Sequence, residues 1–309
     1  MNIIKDLVNL HLTSPVSVCI GNFDGIHIAH RKILEKTVAI AKKNNCASVA
    51  ITFNPHPLKF FLHDIKLLLT EHKKYELIKE TGIENLIVIT FNENIAKMPP
   101  EIFIEEILVK KLNTKYLCVG YNFRFGNRNK GDIDLLQLLS KKYHYELYVL
   151  DKIVIDGILV SSTNIRKLLL DGNIELANKL LGYFYCLEGI VTKGQSLGKL
   201  LGFPTANLAI QNELVPKFGV YATIVKYNGT YYPSVTNIGT KPTIQKNDNV
   251  YVETHIIDFD QNIYDSFIEL ALVSYIREEK KFESLKALVE QMKIDKKNAM
   301  NILQSKNLI

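Results

Sequence analysis

The hydrophobic pattern of this chain changes period near residue 183, and that change constrains the fold more than any single motif. Before it, strands are expected at 16–20, 47–53, 86–90, 116–119 and 145–150, with helices at 31–43, 71–80, 101–111 and 132–142 between them. Strands alternating with helices form a parallel sheet, because a parallel crossover needs a helix-length connection. The first half is therefore read as a doubly wound, Rossmann-like α/β domain. After Leu181-Gly182 the helices drop out. β-Rich runs at 187–192, 220–227, 230–236, 250–258 and 267–275 follow one another across turns, and Asn228-Gly229 is a hairpin signal. Such a series makes an antiparallel barrel or sandwich. A helical tail is expected from about Ser284, with Leu285, Leu288, Val289 and Met292 on one buried face. The reading is two domains, 1–183 and 184–309.

Composition narrows the class. Of 309 residues, 47% are hydrophobic and 23% charged, which is ordinary for a soluble globular protein. The net charge of +6 is spread along the chain. Lys42-Lys43, Lys141-Lys142 and Lys296-Lys297 read as solvated helix faces, so no nucleic-acid partner is expected. Cys19, Cys46, Cys118 and Cys186 form no Cys-x-x-Cys pair. Reduced thiols, no apolar run of membrane-spanning length and no signal peptide point to the cytoplasm, with no membrane partner.

The segment from Gly189 to Asn207 holds four glycines, Lys193, Lys199 and a Gly-Phe-Pro-Thr-Ala-Asn ending. Glycines allow close approach of backbone to a ligand. Thr205 and Asn207 stand two apart, so an extended strand points both to one face. Two neutral oxygens there suit Mg2+ held between nucleotide phosphates. The spacing is not that of a Walker A loop, since only three residues lie between Gly194 and Gly198 and Leu200 follows Lys199. Taken alone, a glycine-rich hairpin also fits.

In the first half, Gly21-Asn22-Phe23-Asp24-Gly25-Ile26-His27-Ile28-Ala29-His30 follows the first strand and opens the first helix. A helix start offers free N–H groups and the positive dipole end to phosphate. His27 and His30 share one face and can donate to a triphosphate. Thr52-Phe53-Asn54-Pro55-His56-Pro57 ends the second strand in a stiff turn, with an incidental histidine as the plainer alternative. Gly120-Tyr121-Asn122-Phe123-Arg124-Phe125-Gly126 brings aromatic rings that can stack on a flat heterocycle or simply pack. Ser161-Ser162-Thr163-Asn164-Ile165-Arg166 begins a helix, where hydroxyls cap or bind phosphate and Arg166 can clamp it.

Together these residues resemble the bacterial bifunctional riboflavin kinase/FMN adenylyltransferase (FAD synthetase) family over essentially the whole chain. The resemblance implies an adenylyltransferase domain with an HxGH-type signature, followed by a riboflavin kinase barrel. It assigns His27 and His30 to ATP phosphates, as part of a site including Gly21, Phe23, Asp24 and Gly25. Ser161, Ser162, Thr163 and Arg166 match a second phosphate signature. Asn122 and Phe125 match a flavin- and ATP-contacting loop, and Phe61 is a further candidate for isoalloxazine contact. Gly194 and Lys199 are expected at the kinase nucleotide, Thr205 and Asn207 at its Mg2+, and Glu253 as the catalytic base. Glu253 also shares a strand face with Tyr251 and His255; without the resemblance it would read as a solvent-facing glutamate. The implied ligands are riboflavin, FMN, FAD and ATP as co-substrate; oligomeric state stays open.

Three positions depart from the family pattern. Ala29 replaces the glycine of HxGH, and its methyl is expected to crowd phosphate and slow adenylyl transfer. Lys199 stands where arginine is usual, which keeps charge but not bidentate geometry. Asn122 stands where aspartate is also common. Two rivals follow: a kinase with a decayed adenylyltransferase half, and a flavin-binding regulator without turnover.

Overall fold

The structure, a computed structural model, describes residues 1–5, 7, 10–62, 64–194, 197–240 and 250–309, without the side chains of Leu197 and Lys199. The chain forms two compact units, Met1–Ser162 and Thr163–Ile309. They part before the two helices that precede the expected boundary at 183.

The first unit runs β1 (Asn2–Ile4), β2 (Val16–Ile20), α1 (Ile28–Lys43), β3 (Ala47–Asn54), α2 (Pro57–Phe61), α3 (Glu71–Glu80), β4 (Asn85–Thr90), α4 (Glu93–Lys97) and α5 (Pro100–Ile102). Then come a π-helix (Phe103–Lys111), β5 (Thr114–Gly120), a short 3-10 turn (Asn127–Asn129), α6 (Ile133–Tyr143), β6 (Glu146–Leu150) and a small hairpin of β7 (Val154–Ile155) and β8 (Ile158–Leu159). The expected single helix at 101–111 is thus a short α-turn running into π geometry. Strands β1 to β6 form one parallel sheet in the order β1-β4-β3-β2-β5-β6. Every residue of β2 is buried, as a central parallel strand with both faces covered requires. Val16, Val18 and Ile20 pack in one core with Phe103, Ile104, Ile107 and Leu136. Cys19, on the opposite face, meets Thr37 of α1. Chain order reverses at β2, whose neighbours are β3 and β5. Ligands of open α/β sheets bind beyond the carboxyl ends of strands at such a switch point. The histidine loop follows β2 and the Asn122 loop follows β5.

The second unit begins with α7 (Ser162–Leu170), whose first residue closes the first unit, and α8 (Ile174–Leu181). β9 (Cys186–Thr192), α9 (Leu197–Leu200), β10 (Ala206–Ile210), β11 (Gly219–Tyr227), β12 (Thr230–Thr240), β13 (Val250–Ile256), β14 (Phe267–Arg277) and α10 (Leu285–Ser305) follow. The six strands close into an antiparallel barrel in the order β10-β13-β12-β11-β14-β9, which settles the barrel-or-sandwich choice. Closure leaves no open sheet edge. Inside it, hydroxyls satisfy one another: Thr223 lies 2.7 Å from Ser234 and 2.8 Å from Thr236, which donates to Thr254 at 2.9 Å. Asn178 of α8 fastens that helix to the barrel, donating to Leu272 O at 2.8 Å and accepting from Tyr185 N–H at 2.8 Å.

The tail helix corrects an expectation. Leu285 is 58% exposed, and the buried residues of α10 are Asp295, Ala299 and Leu303. Leu303 packs on Ile224 and Val273. The docked stripe lies further along the helix and includes a charge, which apolar periodicity does not count.

Candidate active sites

The loop after β2 is tightly wound. Phe23, Gly25 and Ile26 have φ of 51, 87 and 33°. Two non-glycine residues in this region, one β-branched, mark a loop held by its surroundings, as at ligand-binding turns. Phe23 and Ile26 are fully buried plugs. Gly21 leaves room for the Phe23 ring, since a Cβ there would come within 2.9 Å of it. Asp24 is buried, and its carboxylate accepts from Leu68 N–H at 2.9 Å. The Asp24 carbonyl accepts from the Ser162 hydroxyl at 2.7 Å. The side chains of Phe23 and Asp24, both expected at phosphate, face inward and shape the loop.

What the loop presents is His27. It caps α1, and its Nδ1 accepts from His30 N–H at 3.3 Å. A neutral His27 must then carry its proton on Nε2, as a donor. Its ring stacks on His30, centroids 3.7 Å apart and 14° from parallel, while Phe23 meets His30 edge-on at 5.4 Å. Burial lowers the His27 pKa to about 4. Burial lowers His30 well below 6.5, with further lowering by His27, Lys74 and His56. His30 Nδ1 is buried without a hydrogen-bond partner. The first turn of α1 has no acidic residue. Neutral imidazoles, an orphaned ring nitrogen and a helix start make a pocket suited to an anion.

Two more residues join this cluster: His56, from the stiff turn noted after the second strand, and Lys74, which sequence reasoning missed. His56 caps α2, its Nδ1 accepting from Leu58 N–H at 3.1 Å. Lys74 on α3 donates to Asn22 O at 2.7 Å and Thr52 Oγ1 at 2.6 Å. For His56 the signal was its place after a strand end; for Lys74, amid a charged helix, there was none.

The remaining expected residues of the first half lie in different surroundings. Phe61 is 60% exposed on α2, within an aromatic cluster with Phe60 and Phe91. Asn122 is exposed where the chain leaves β5. Phe125 is 8% exposed and belongs to the core, stacked on Phe123 at 5.4 Å and tilted against Phe103. Its backbone bridges to Gly131. Phe125, expected at flavin, packs inward here and anchors the loop. Ser161 and Ser162 end the first unit; Thr163, exposed, and Arg166 lie on α7 in the second.

In the barrel, register assembles the site. Asn207 of β10 pairs with Glu253 of β13, and Glu253 pairs with Asn237 of β12. Thr254 lies inside the barrel with the hydroxyl cluster, so alternation puts Glu253 on the outer face. Asn207, Glu253 and Asn237 thus form one cross-strand row. Asn237 was not foreseen. Its Nδ2 donates to Tyr251 OH at 2.9 Å and to Glu279 Oε1 at 3.2 Å. Tyr251 OH in turn donates to Glu279 at 2.5 Å. Burial, Glu279 and Glu253 all raise the Tyr251 pKa.

The glycine segment stands before this row. A Cβ on Gly194 would strike the Asn207 carboxamide, and one on Gly198 would lie 3.2 Å from Thr205 Oγ1. The lack of side chains at the two glycines therefore lets the backbone pass close to the Asn207 carboxamide and to Thr205. Lys199 lies in α9, and its side chain, like Gln195 and Ser196, is outside the described residues. The Phe203-Pro204 turn is pinned to β13: His255 Nδ1 donates to Pro204 O at 2.9 Å, and the rings of Phe203 and His255 meet at 5.2 Å. Burial lowers the His255 pKa. Beside this pin opens a cleft of about 670 Å³ bordered by Phe203, Pro204, His255, Phe259, Lys293 and Lys296.

A histidine-capped helix start at an α/β switch point, followed by a closed barrel with a carboxylate in a cross-strand row of carboxamides, is the architecture of a nucleotide-dependent group-transfer protein. The chain belongs to the bifunctional riboflavin kinase/FMN adenylyltransferase family. An FAD synthetase domain model matches residues 10–164 and a riboflavin kinase domain model matches residues 181–303. A bifunctional riboflavin kinase/FMN adenylyltransferase of Buchnera aphidicola subsp. Schizaphis graminum is 37% identical, covering 96% of each chain. The Escherichia coli K12 protein of that name is 35% identical over 97% of each. A crystal structure described as a macrolide-efflux protein from Streptococcus pneumoniae superposes with a TM-score of 0.88 at 29% identity, over 97% of this chain and 98% of that one. Among the described residues, no helix of this chain is long and apolar enough to cross a membrane.

Proposed function

We infer that this chain makes FMN and then FAD, with the kinase step in the barrel and the adenylyl step at the histidine loop, and we place the division between the two activities at residue 183. The observation that carries the reading is the register pair Asn207–Glu253, which sets a carboxylate beside a carboxamide that Gly194 faces without a side chain of its own. In the first step Glu253 accepts the proton of the riboflavin 5′-hydroxyl as its oxygen bonds to the γ-phosphorus of ATP. The bond from that phosphorus to the bridging oxygen breaks, and ADP leaves. Asn237, held by Tyr251 and Glu279, flanks Glu253 on its other side. The cleft at Phe203 and His255 offers apolar walls for a base, while its charges are mixed, Lys293 and Lys296 beside Asp258 and Asp260.

Thr205 and Asn207 fit a magnesium ion that arrives with the nucleotide. Their oxygens are neutral, and among the described residues no group of three His, Cys, Asp or Glu side chains could hold a metal. Bound there, the ion would supply charge neutralisation to the phosphates; the chain supplies orientation and the base.

In the second step an oxygen of the FMN phosphate attacks the α-phosphorus of a second ATP, and pyrophosphate leaves. No proton need be removed from the attacking group. His27 and His30, neutral at pH 7, donate hydrogen bonds to phosphate oxygens as charge moves onto the leaving group. Phe61 and Asn122 are the flavin-facing residues of this reading. The absence of a nucleic-acid role and a cytoplasmic location belong to the same proposal.

The test is chromatography of flavins after incubating pure protein with riboflavin, ATP and magnesium. FMN followed by FAD is expected. FMN alone would favour the kinase-only rival raised by Ala29, and no conversion would favour a flavin-binding regulator.

A further inference from the structure

His27 and His30 bring hydrogen bonds to the adenylyl site but little charge, because both stay neutral at pH 7. A triphosphate carries several negative charges, so a cation is wanted beside them. Lys74 is placed to be it. It lies close enough to His30 for its charge to oppose protonation of that ring. Its Nζ spends two of three N–H groups on Asn22 O and Thr52 Oγ1. Those two acceptors come from different strand ends: Asn22 follows β2 and Thr52 lies in β3. The ammonium is therefore fixed at the switch point rather than free to swing. Thr52 also donates to Asn22 O at 3.2 Å, which closes a small rigid ring of polar groups beneath the histidine loop.

We propose that Lys74 is a phosphate ligand of the adenylyl-transfer site, its third N–H serving the triphosphate while the other two hold the loop after β2 in place. The proposal rests on the assignment of adenylyl transfer to the histidine loop. Tethered in this way, the ammonium gives directed charge with little side-chain entropy left to lose on binding. The surroundings of the ammonium are mixed. Burial pulls its pKa down to about 8, and Asp24 and Glu71 oppose that shift. His30 faces the same space, with His27 and His56 beyond it. Bound phosphate adds a negative partner and draws the ammonium back to its charged form.

Lys74→Met keeps the length and most of the apolar stem; Lys74→Arg keeps the charge. Full-length proteins are assayed for FAD formation from supplied FMN, with riboflavin phosphorylation in the same preparations normalising for folded protein. Lys74→Met should lower kcat/KM for ATP in the adenylyl reaction by roughly 10- to 100-fold, the range for losing a hydrogen bond to a charged group. In the wild type this parameter should fall above pH about 8, because kcat/KM reports ionisations of the free enzyme. That limb should vanish in Lys74→Arg, whose guanidinium stays charged, and a purely structural lysine would not move it. A Lys74→Met protein within threefold of wild type overturns the proposal, as does an alkaline limb that persists unchanged in both variants. If the wild type phosphorylates riboflavin but makes no FAD from FMN, the assignment beneath the proposal fails and takes it along.

Discussion

His27 and His30 are stacked 3.7 Å apart, and the ring nitrogen of the first caps the backbone N–H of the second. One contact therefore starts the helix, fixes the tautomer of His27 and turns its remaining N–H outward. The arrangement has a cost in acid. The folded pKa of His27, about 4, lies below the ordinary 6.5. Between those values the unfolded chain binds the proton and the folded one does not. The stability from this group is thus fully present above pH 6.5 and is lost as pH falls toward 4. The shift corresponds to on the order of 3 kcal/mol. His27→Asn keeps a capping oxygen and removes the titration. Denaturant midpoints of the first unit should fall less between pH 7 and pH 4 in this variant than in wild type. Equal losses in the two proteins would refute the assignment.

Glu253 sits between two carboxamides, Asn207 and Asn237, in the barrel register. Glu253→Gln preserves shape and removes the base. Riboflavin phosphorylation should drop by roughly 10²- to 10⁴-fold, the usual weight of general-base catalysis. FAD formation from supplied FMN should continue. Loss of both activities in a folded variant would contradict separate sites.

Gly194 faces the carboxamide of Asn207 with no room for a methyl. Gly194→Ala should displace that oxygen and raise KM for magnesium-ATP in the kinase reaction by about tenfold or more, equivalent to ~1.4 kcal/mol. Adenylyl transfer in the same protein gives the control. Unchanged kinase kinetics would remove Asn207 from the metal site.

Phe61 and Phe125, both expected at flavin, occupy opposite environments: one 60% exposed, the other 8%. Phe125→Ala should cost about 3–5 kcal/mol in stability, as for a core phenylalanine. Phe61→Ala should leave the melting midpoint nearly unchanged and raise KM for FMN. The reverse pattern, measured by melts and FMN titration, would exchange their roles.

The difference between these two rings shows where sequence stops informing. The periods of the strands gave both architectures, since burial on two faces of β2 and alternation in β13 are written in consecutive residues. The closeness of His27 and His30 was legible from their spacing for the same reason. The inward packing of Phe125 was not, because a loop has no period to say which ring turns inward. Lys74 and Asn237 were not, because each acts through partners far away in the chain, on Asn22 and Thr52 for one and Tyr251 and Glu279 for the other. The buried stripe of α10 was misplaced because an ion pair, not an apolar residue, begins it.

That ion pair carries the last prediction. Arg277 at the end of β14 donates through Nε and Nη2 to the Asp295 carboxylate, at 2.9 and 2.6 Å, and Gln291 donates to the same group at 2.9 Å. The Asp295 side chain is 5% exposed and that of Arg277 21%. A desolvated pair adds little over an apolar contact, but removing one partner strands the other's charge, at roughly 3–5 kcal/mol. Asp295→Ala should therefore lower the urea midpoint of the barrel far more than Lys293→Ala, whose ion pair with Glu290 is exposed on both sides. Two residues beyond Arg277, Glu279 holds Tyr251 and Asn237 beside the base. Freeing the end of β14 should thus also weaken riboflavin phosphorylation at temperatures where the barrel remains folded. A midpoint loss below about 1 kcal/mol, with kinase activity intact, would make the helix a passive cover and leave Glu279 positioned by β14 alone.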